Sequence, residues 1–357
     1  MASDHTRRIC LVLGTGRCGS TALSDVLRHH SDMLSVSELF SALRGRDLAE
    51  REMDGAEFWR LISTPLSADA VLHRWKAAPE VLYPIFAPRL GADRFAWPAA
   101  LPPLVGVTLP HLTARPDDLY AVLEQAAPAR PRRPLSEHLW WLFDALAGER
   151  RPSIVLERSG GSLGNATTLL KLFPDAQVIH MYRDGRECAV SMSRHPRFKL
   201  SALRAELGAE LGRDLYGEDG QAGQAEAAAV RGAVSSAMAG LAPDQITAEA
   251  FAAFEVPLSR YGLMWSAMVV AGIPALPGGT RRHDLDYQDF IEHPRESIGA
   301  LLEFLGVTHG PACEANWAAA IRLGRDARAE VGEREWQELS RACRMGMNRL
   351  YGRGGWT

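Results

Sequence analysis

The stretch Gly14-Thr15-Gly16-Arg17-Cys18-Gly19-Ser20-Thr21 holds the residues best suited to chemistry. Three glycines let the backbone turn its amides toward an anion, Arg17 puts a cation inside the turn, and Ser20 and Thr21 follow with neutral hydroxyl donors. Such a set binds phosphate or sulfate. A second stretch, Arg183-Asp184-Gly185-Arg186 with Ser191 eight positions after Arg183, offers similar chemistry, and two anion sites imply a ligand with phosphates at both ends.

These residues need elements to hold them. Residues 9 to 13 form a short apolar run that breaks at the glycines, and Ala22, Leu23, Val26 and Leu27 then recur at helical spacing, predicting a strand, a loop and a helix from about Ser20. That helix adds unpaired N–H groups and a positive dipole end to the loop. A second strand at 177–182 ends in Arg183, and the following helix carries Ser191. A third at 153–157 ends in Arg158 and Ser159, where the carboxyl edge of an open α/β sheet gathers ligand groups, so Arg158 is a further candidate cation, with pairing to Glu157 or another acid as the alternative. A helix at 163–173 completes a right-handed crossover. The segment Met33-Leu34-Ser35-Val36-Ser37-Glu38-Leu39-Phe40 returns toward the sheet and delivers Glu38 near the loop, with an exposed acid or a helix cap at the start of the next element as the alternative. The expected architecture is α/β: three layers around a mostly parallel central sheet, with strands 8–13, 153–157 and 177–182 sharing one cleft at their carboxyl ends.

Set against the nucleotide-binding pattern G-x-x-x-x-G-K-[ST], the loop matches Gly14, Gly19 and Thr21 but has Ser20 in the place of the phosphate-binding lysine. The chain has only three lysines, Lys76, Lys171 and Lys199. Arg17 is the cation of this loop, so its anion is held differently from the phosphates of an ATPase. A glycine-rich turn without a ligand gives the same match by chance; the second arginine stretch argues against that.

Together the two stretches resemble the sulfotransferases that use 3'-phosphoadenosine-5'-phosphosulfate (PAPS). Arg17-Cys18-Gly19-Ser20-Thr21 is similar to that family's 5'-phosphosulfate loop, Arg/Lys-Ser-Gly-Thr-Thr, and Arg183 with Ser191 to its 3'-phosphate motif. Further likenesses are VLERSGGSLGNATTLLKLFPDAQ, to the Glu-Lys-Ser/Thr-Pro segment, and LDYQDFIEHPRESIGALLEFLGV, to the Tyr-Glu-Asp-Leu, Asp-Pro and Phe-Leu-Gly landmarks. Departures are Cys18 for serine, Ser20 for the first threonine, Arg158 for lysine, Gly160 for proline and Gln288 for glutamate. The resemblance implies a P-loop-like fold and PAPS as co-substrate, with 3',5'-adenosine bisphosphate as product. It implies that Gly16, Arg17, Cys18, Gly19, Ser20, Thr21, Arg183 and Ser191 bind it and that Glu38 is the catalytic base; charge placement then sets Arg17 at the leaving 5'-phosphate oxygen and Arg158 at the transferring group. His29, His30 and His180 compete with Glu38 without a motif behind them. Near apolar neighbours such as Leu39 and Phe40 the carboxyl of Glu38 is expected above its ordinary pKa, with Arg17 pulling it down.

At 357 residues and 46% hydrophobic composition the chain can bury a sizeable core, read as one domain over 1–357. A net charge of −3 argues against nucleic acid as a partner; the positive groups are local, Arg183, Arg186, Arg194, Arg197 and Lys199 among them. Residues 41–134 lose the α/β rhythm and are rich in proline and tryptophan, an insertion in which Trp59, Trp75, Trp97 and Tyr83 either line an acceptor pocket or form their own small core. Residues 200–258 are acidic and alanine-rich, read as a helical cap. Five cysteines without metal-type spacing and no apolar leader or span lead to the expectation of a cytoplasmic protein with no membrane span and no metal. The reaction implied is transfer of a sulfonate to a hydroxyl or amine of a small-molecule, lipid or carbohydrate acceptor. A P-loop kinase or nucleotide hydrolase, disfavoured by the missing lysine, and a non-catalytic nucleotide-binding member of the fold remain alternatives.

Overall fold

The computed structural model describes residues 7–83, 94–95, 101–212, 216, 241, 245–308 and 327–352. Five parallel strands form the central sheet: β1 (Arg8–Leu13), β2 (Met33–Ser37), β5 (Ile154–Arg158), β6 (Gln177–Tyr182) and β7 (Arg282–Asp286), in the order β2-β5-β1-β6-β7. Two-residue strands β3 (Glu52–Met53) and β4 (Arg133–Pro134) pair separately and antiparallel. Ile9 to Leu13, Met33 to Ser37 and Ile154 to Arg158 are buried throughout, the continuous pattern of strands covered on both faces. Val12 and Ser37 both stand opposite Arg158, and Leu13 opposite His180. Since all five strands run the same way, their carboxyl ends open on one edge.

The edge strand β7 is not expected from sequence. In Arg-His-Asp-Leu-Asp only Leu285 is buried, so no apolar run marks it; pairing with β6 makes it a strand.

Helix α1 (Ser20–Leu27) follows the loop as expected, and after β2 a single turn, α2 (Leu39–Ala42), begins. The helix expected at 163–173 is divided into a 3-10 turn (Ser162–Asn165) and a later α-helix (Ala166–Leu172). The first part cannot continue as α-helix because it is tied to the loop behind β1: Leu163 N–H donates to the Gly14 carbonyl at 3.1 Å, and Ser162 Oγ to the Val12 carbonyl at 3.1 Å.

The insertion supplies α3 (Gly55–Ser63), α4 (Ser67–Arg74), α5 (Pro103–Gly106), α6 (Thr108–Leu112) and α7 (Pro116–Ala126). Asp54 and Glu57 form a reciprocal capping box on α3, and β3 with β4 ties the two ends of the segment together. Helix α8 (Leu135–Ala147) leads back to β5, and α9 (Ala166–Leu172) to β6. Trp59 packs on Tyr120, and the buried Tyr83 packs on Phe95 and donates to Asp117 Oδ1 at 2.7 Å. These two serve the insertion's own core, while Trp75 turns toward Phe251, with centroids 5.3 Å apart; Trp97 lies outside the described residues. After β6 come α10 (Gly185–Ser193) and α11 (Pro196–Leu211). About half of the expected acidic cap lies outside the described residues, Asp214, Glu218, Asp219 and Glu226 among them. Helices α12 (Ala248–Ala253), α13 (Leu258–Gly272), α14 (Tyr287–Glu292), α15 (Pro294–Leu305) and α16 (Glu333–Tyr351) follow among the described residues. No helix among the described residues is long and apolar enough to cross a membrane.

Candidate functional site

The loop after β1 is built from left-handed backbone. Gly16 and Gly19 have φ of 75° and 93°, and Arg17 between them has φ 59°, a conformation that disfavours any residue with a Cβ and recurs at functional sites. Gly19 also needs the absence of a side chain: a Cβ there would lie 2.3 Å from the ring of Tyr287, the first residue of α14. Cys18 is fully buried, its Sγ packed against Gly14, and burial raises its thiol pKa despite hydrogen bonds at Ser20 that oppose the rise. Cys18 can therefore offer a ligand only its backbone.

The loop meets the second arginine stretch directly. Arg17 Nε donates to Ser191 Oγ at 3.1 Å, joining the turn after β1 to α10. Arg183 takes a different position. Its Nε donates to Glu187 Oε2 at 2.7 Å, its guanidinium lies 4.2 Å over the Tyr287 ring, and the same ring backs Gly19.

Glu38, the residue between β2 and α2, also has left-handed backbone, with φ 60°. Its side chain is 18% exposed and forms an ion pair with Arg158, which is 6% exposed. Glu38 Oε1 accepts from Arg158 Nη1, while Oε2 accepts from Ser41 Oγ and, at 3.1 Å, from Gly160 N–H. Arg158 Nη2 donates to Ser37 Oγ at 3.3 Å, and its buried Nε has no hydrogen-bond partner among the described residues. The raised pKa expected for Glu38 is thus corrected. Burial does push it up, but Arg158, the Ser41 and Gly160 hydrogen bonds and Arg197 together outweigh that and hold the carboxyl below its ordinary value. The partner that dominates is Arg158, where Arg17 was expected.

A cavity of about 90 Å³ gathers these groups. Its walls include Gly16, Arg17, Ser20 and Thr21 from the loop and α1, Glu38, Arg158 and Gly160 from the neighbouring strand ends, and Arg44, Glu80, His195, Arg197 and Phe198. Gly19, Cys18, Arg183 and Ser191 are not among the lining residues, although Ser191 reaches it through Arg17. Four arginines face two glutamates there, an excess of positive charge suited to an anion.

His195 is not singled out in the sequence, and Arg197 stands there only among the local positive groups. Pro196 at the first helical position of α11 and a polar residue before it were the signal that His195 caps that helix, and its Nδ1 accepts from Arg197 N–H at 3.3 Å. Arg197 forms ion pairs with Asp69 of α4 at 2.5 Å and Glu80 at 2.6 Å. Burial disfavours its charge, yet the two carboxylates more than offset this and raise its pKa. The insertion thus brings Glu80 to the cavity wall, while of the two readings of its aromatics Trp59 and Tyr83 follow the one of a small core of its own. His195 Nε2 lies 3.4 Å from Glu80 Oε2, but burial keeps the imidazole pKa below its ordinary value despite Glu80. The expected competitors for the base role stand elsewhere: His30 Nε2 contacts the Thr308 carbonyl at 3.0 Å, and the buried His180 pairs with Asp284 at 2.8 Å. His29 contacts Arg28.

Among curated proteins no match is found. Solved structures similar to this chain include the sulfotransferase domain of the Synechococcus olefin synthase (14% identity, 98% of this chain and 90% of that one covered, TM-score 0.41). Others are the sulfotransferase domain of the curacin biosynthetic pathway (12%, 94% and 96%, 0.44) and sulfotransferase STF9 from Mycobacterium avium (16%, 94% and 76%, 0.44). The sequence profile described as the sulfotransferase family matches residues 10–231, and the chain belongs to that family.

Proposed function

We propose that this sulfotransferase takes its sulfonate from PAPS and moves it to a hydroxyl or amine of a small-molecule, lipid or carbohydrate acceptor. The observation that carries this reading is the single cavity in which Arg17, Ser20 and Thr21 of the anion loop face Glu38 and Arg158. The unpartnered, buried Nε of Arg158 fits an anionic ligand, because a buried N–H without an acceptor is costly and a sulfonate or phosphate oxygen would satisfy it.

The roles follow from charge. PAPS supplies the sulfonate, and displacement at sulfur builds negative charge on the leaving 5'-phosphate oxygen. Arg17 and the amides of the loop stabilise that charge, with Ser20 and Thr21 as neutral donors. Arg183 and Ser191 hold the 3'-phosphate and so fix where the sulfonate lies. Arg158 balances the transferring group, which draws it from Glu38. A carboxylate released in this way regains basicity and can accept the acceptor's proton. Glu38 is then weakly basic in the resting site and becomes competent only when an anion engages Arg158.

The test is calorimetric titration with 3',5'-adenosine bisphosphate without magnesium, followed by transfer of labelled sulfonate from PAPS to a panel of sugars, phenols, steroids and lipids. Binding of the bisphosphate well ahead of ATP, with label moved to at least one acceptor, is expected. ATP binding that depends on magnesium and exceeds bisphosphate binding would replace this reading by that of a nucleotide kinase or hydrolase.

A further inference from the structure

Glu157, fully buried on β5, takes no part in the transfer described. Its Oε1 accepts from Ser159 Oγ at 2.5 Å and from Phe40 N–H at 3.5 Å, while its buried Oε2 has no hydrogen-bond partner among the described residues. Ser159 Oγ in turn accepts from the backbone N–H groups of Phe40 at 3.0 Å and Ser41 at 3.1 Å. With both lone pairs engaged, the hydroxyl proton of Ser159 has one destination, Glu157 Oε1. Ser41 then donates its own hydroxyl to Glu38. A continuous chain runs from Glu157 through Ser159 and the start of α2 to the Glu38 carboxylate.

The charged groups acting on Glu157 are Glu38, at the start of α2, and Arg158, next along its own strand. Arg158 is committed to Glu38, so Glu157 has no counter-ion of its own. An ionised carboxylate with one bare oxygen in the interior is far costlier than a neutral acid. We propose that Glu157 is a positioning residue, held as a neutral carboxylic acid, that fixes Ser159 and through it the turn carrying Glu38. Consistent with this, burial pushes the Glu157 carboxyl up to about 8, Glu38 adding to the rise while Ser159, the Phe40 amide and Arg158 oppose it. Ionisation would put a second negative charge beside the Glu38–Arg158 pair and draw Arg158 toward it.

The catalytic consequence rests on the roles proposed for Glu38 and Arg158; the protonation state does not. The full chain is compared as wild type, Glu157→Gln and Glu157→Leu. The infrared difference between wild type and Glu157→Gln should contain the carbonyl band of a protonated carboxyl at neutral pH, fading with a midpoint near the value of about 8. Amide exchange at Phe40 and Ser41 should be at least about tenfold faster in Glu157→Leu, which gives Ser159 no acceptor, and within about threefold of wild type in Glu157→Gln. The wild-type kcat should fall above the same midpoint and that of Glu157→Gln should not. A missing infrared band, or an alkaline fall shared by Glu157→Gln, overturns the proposal. So does unchanged amide exchange in Glu157→Leu or, if that variant does not fold, in Ser159→Ala. If the wild type transfers no sulfonate, the reaction assigned to the site fails by itself, and the infrared and exchange results still decide the role of Glu157.

Discussion

Arg17 Nε donates to Ser191 Oγ across 3.1 Å, between residues 174 positions apart in the chain. The loop after β1 and the helix after β6 are therefore joined, so if they bind the two ends of one anionic ligand as proposed, a change at Ser191 should be felt at both. Ser191→Ala should weaken 3',5'-adenosine bisphosphate and adenosine 5'-phosphate alike, because it unseats Arg17 as well as removing a hydroxyl donor. Arg183→Ala, away from the loop and held over Tyr287, should weaken the bisphosphate by about tenfold or more and the monophosphate hardly at all. Calorimetry with both ligands checks this, and equal losses in Arg183→Ala would show that Arg183 does not serve the 3' end.

Arg17 holds a left-handed conformation at φ 59°, which costs an L-residue about 1–2 kcal/mol and costs glycine little. Arg17→Ala and Arg17→Gly should both lose bisphosphate binding, since each removes the cation. They should differ in stability, the glycine variant standing above the alanine variant by about 1 kcal/mol in denaturant unfolding. Equal stability would mean that the turn relaxes once the arginine is gone.

The sheet was legible where burial on both faces writes a continuous apolar run, as in Ile9 to Leu13, or one broken by a single residue, as at His180 between Val178 and Met181. It was illegible at β7, where Arg282 and Asp284 bond each other and pairing alone makes the strand. Glu38 and Arg158 were legible as candidates. The ion pair between them was not, because it closes over 120 positions and depends on the register that sets Ser37 opposite Arg158. The sign of the Glu38 shift turned on that contact together with the Ser41 and Gly160 hydrogen bonds and Arg197, none of which the sequence shows. Asp69 and Glu80 lie in a segment with no recognisable pattern, and only the fold brings them to Arg197.

That triad predicts the effect of the insertion on ligand binding. Glu80→Gln leaves Arg197 with Asp69 alone and removes a negative charge from the cavity wall, so sulfate and the bisphosphate should bind more tightly, by about threefold to tenfold. Arg197→Ala leaves Glu80 at the cavity wall and Asp69 behind it without their counter-ion and should weaken both ligands by a similar factor. Calorimetry at two salt concentrations checks this, and an effect unchanged by added salt would argue for a steric cause.

Glu157 predicts a slope of stability with pH. The native carboxyl keeps its proton up to about 8, whereas the unfolded chain releases it near 4.5, so between these values the native state binds one proton more. Its contribution is fully present below the unfolded value and is lost as pH rises through the native one. The stability of wild type relative to Glu157→Gln should therefore fall by up to about 1.4 kcal/mol per pH unit across that window and level off above it. Taking the difference removes the buried histidines, which titrate in both proteins. A flat difference in urea unfolding at several pH values would mean that Glu157 is ionised in the native state.

Glu38→Gln separates the two duties of Glu38. The carboxylate balances Arg158 in the resting site, so the amide leaves a guanidinium, only 6% exposed, without its counter-ion; the variant should lose about 3 kcal/mol of stability, read in urea unfolding. The same loss frees Arg158 for an anionic ligand. Bisphosphate should then bind about as tightly as to wild type or up to tenfold more tightly, and should restore much of the lost thermal stability. Transfer should nevertheless fall by about 10²- to 10⁴-fold in kcat, because the amide cannot take the acceptor's proton. Weaker bisphosphate binding together with slow transfer would assign Glu38 to donor binding and leave the base to another group. Near wild-type kcat with the stability loss intact would leave Glu38 only the task of holding Arg158.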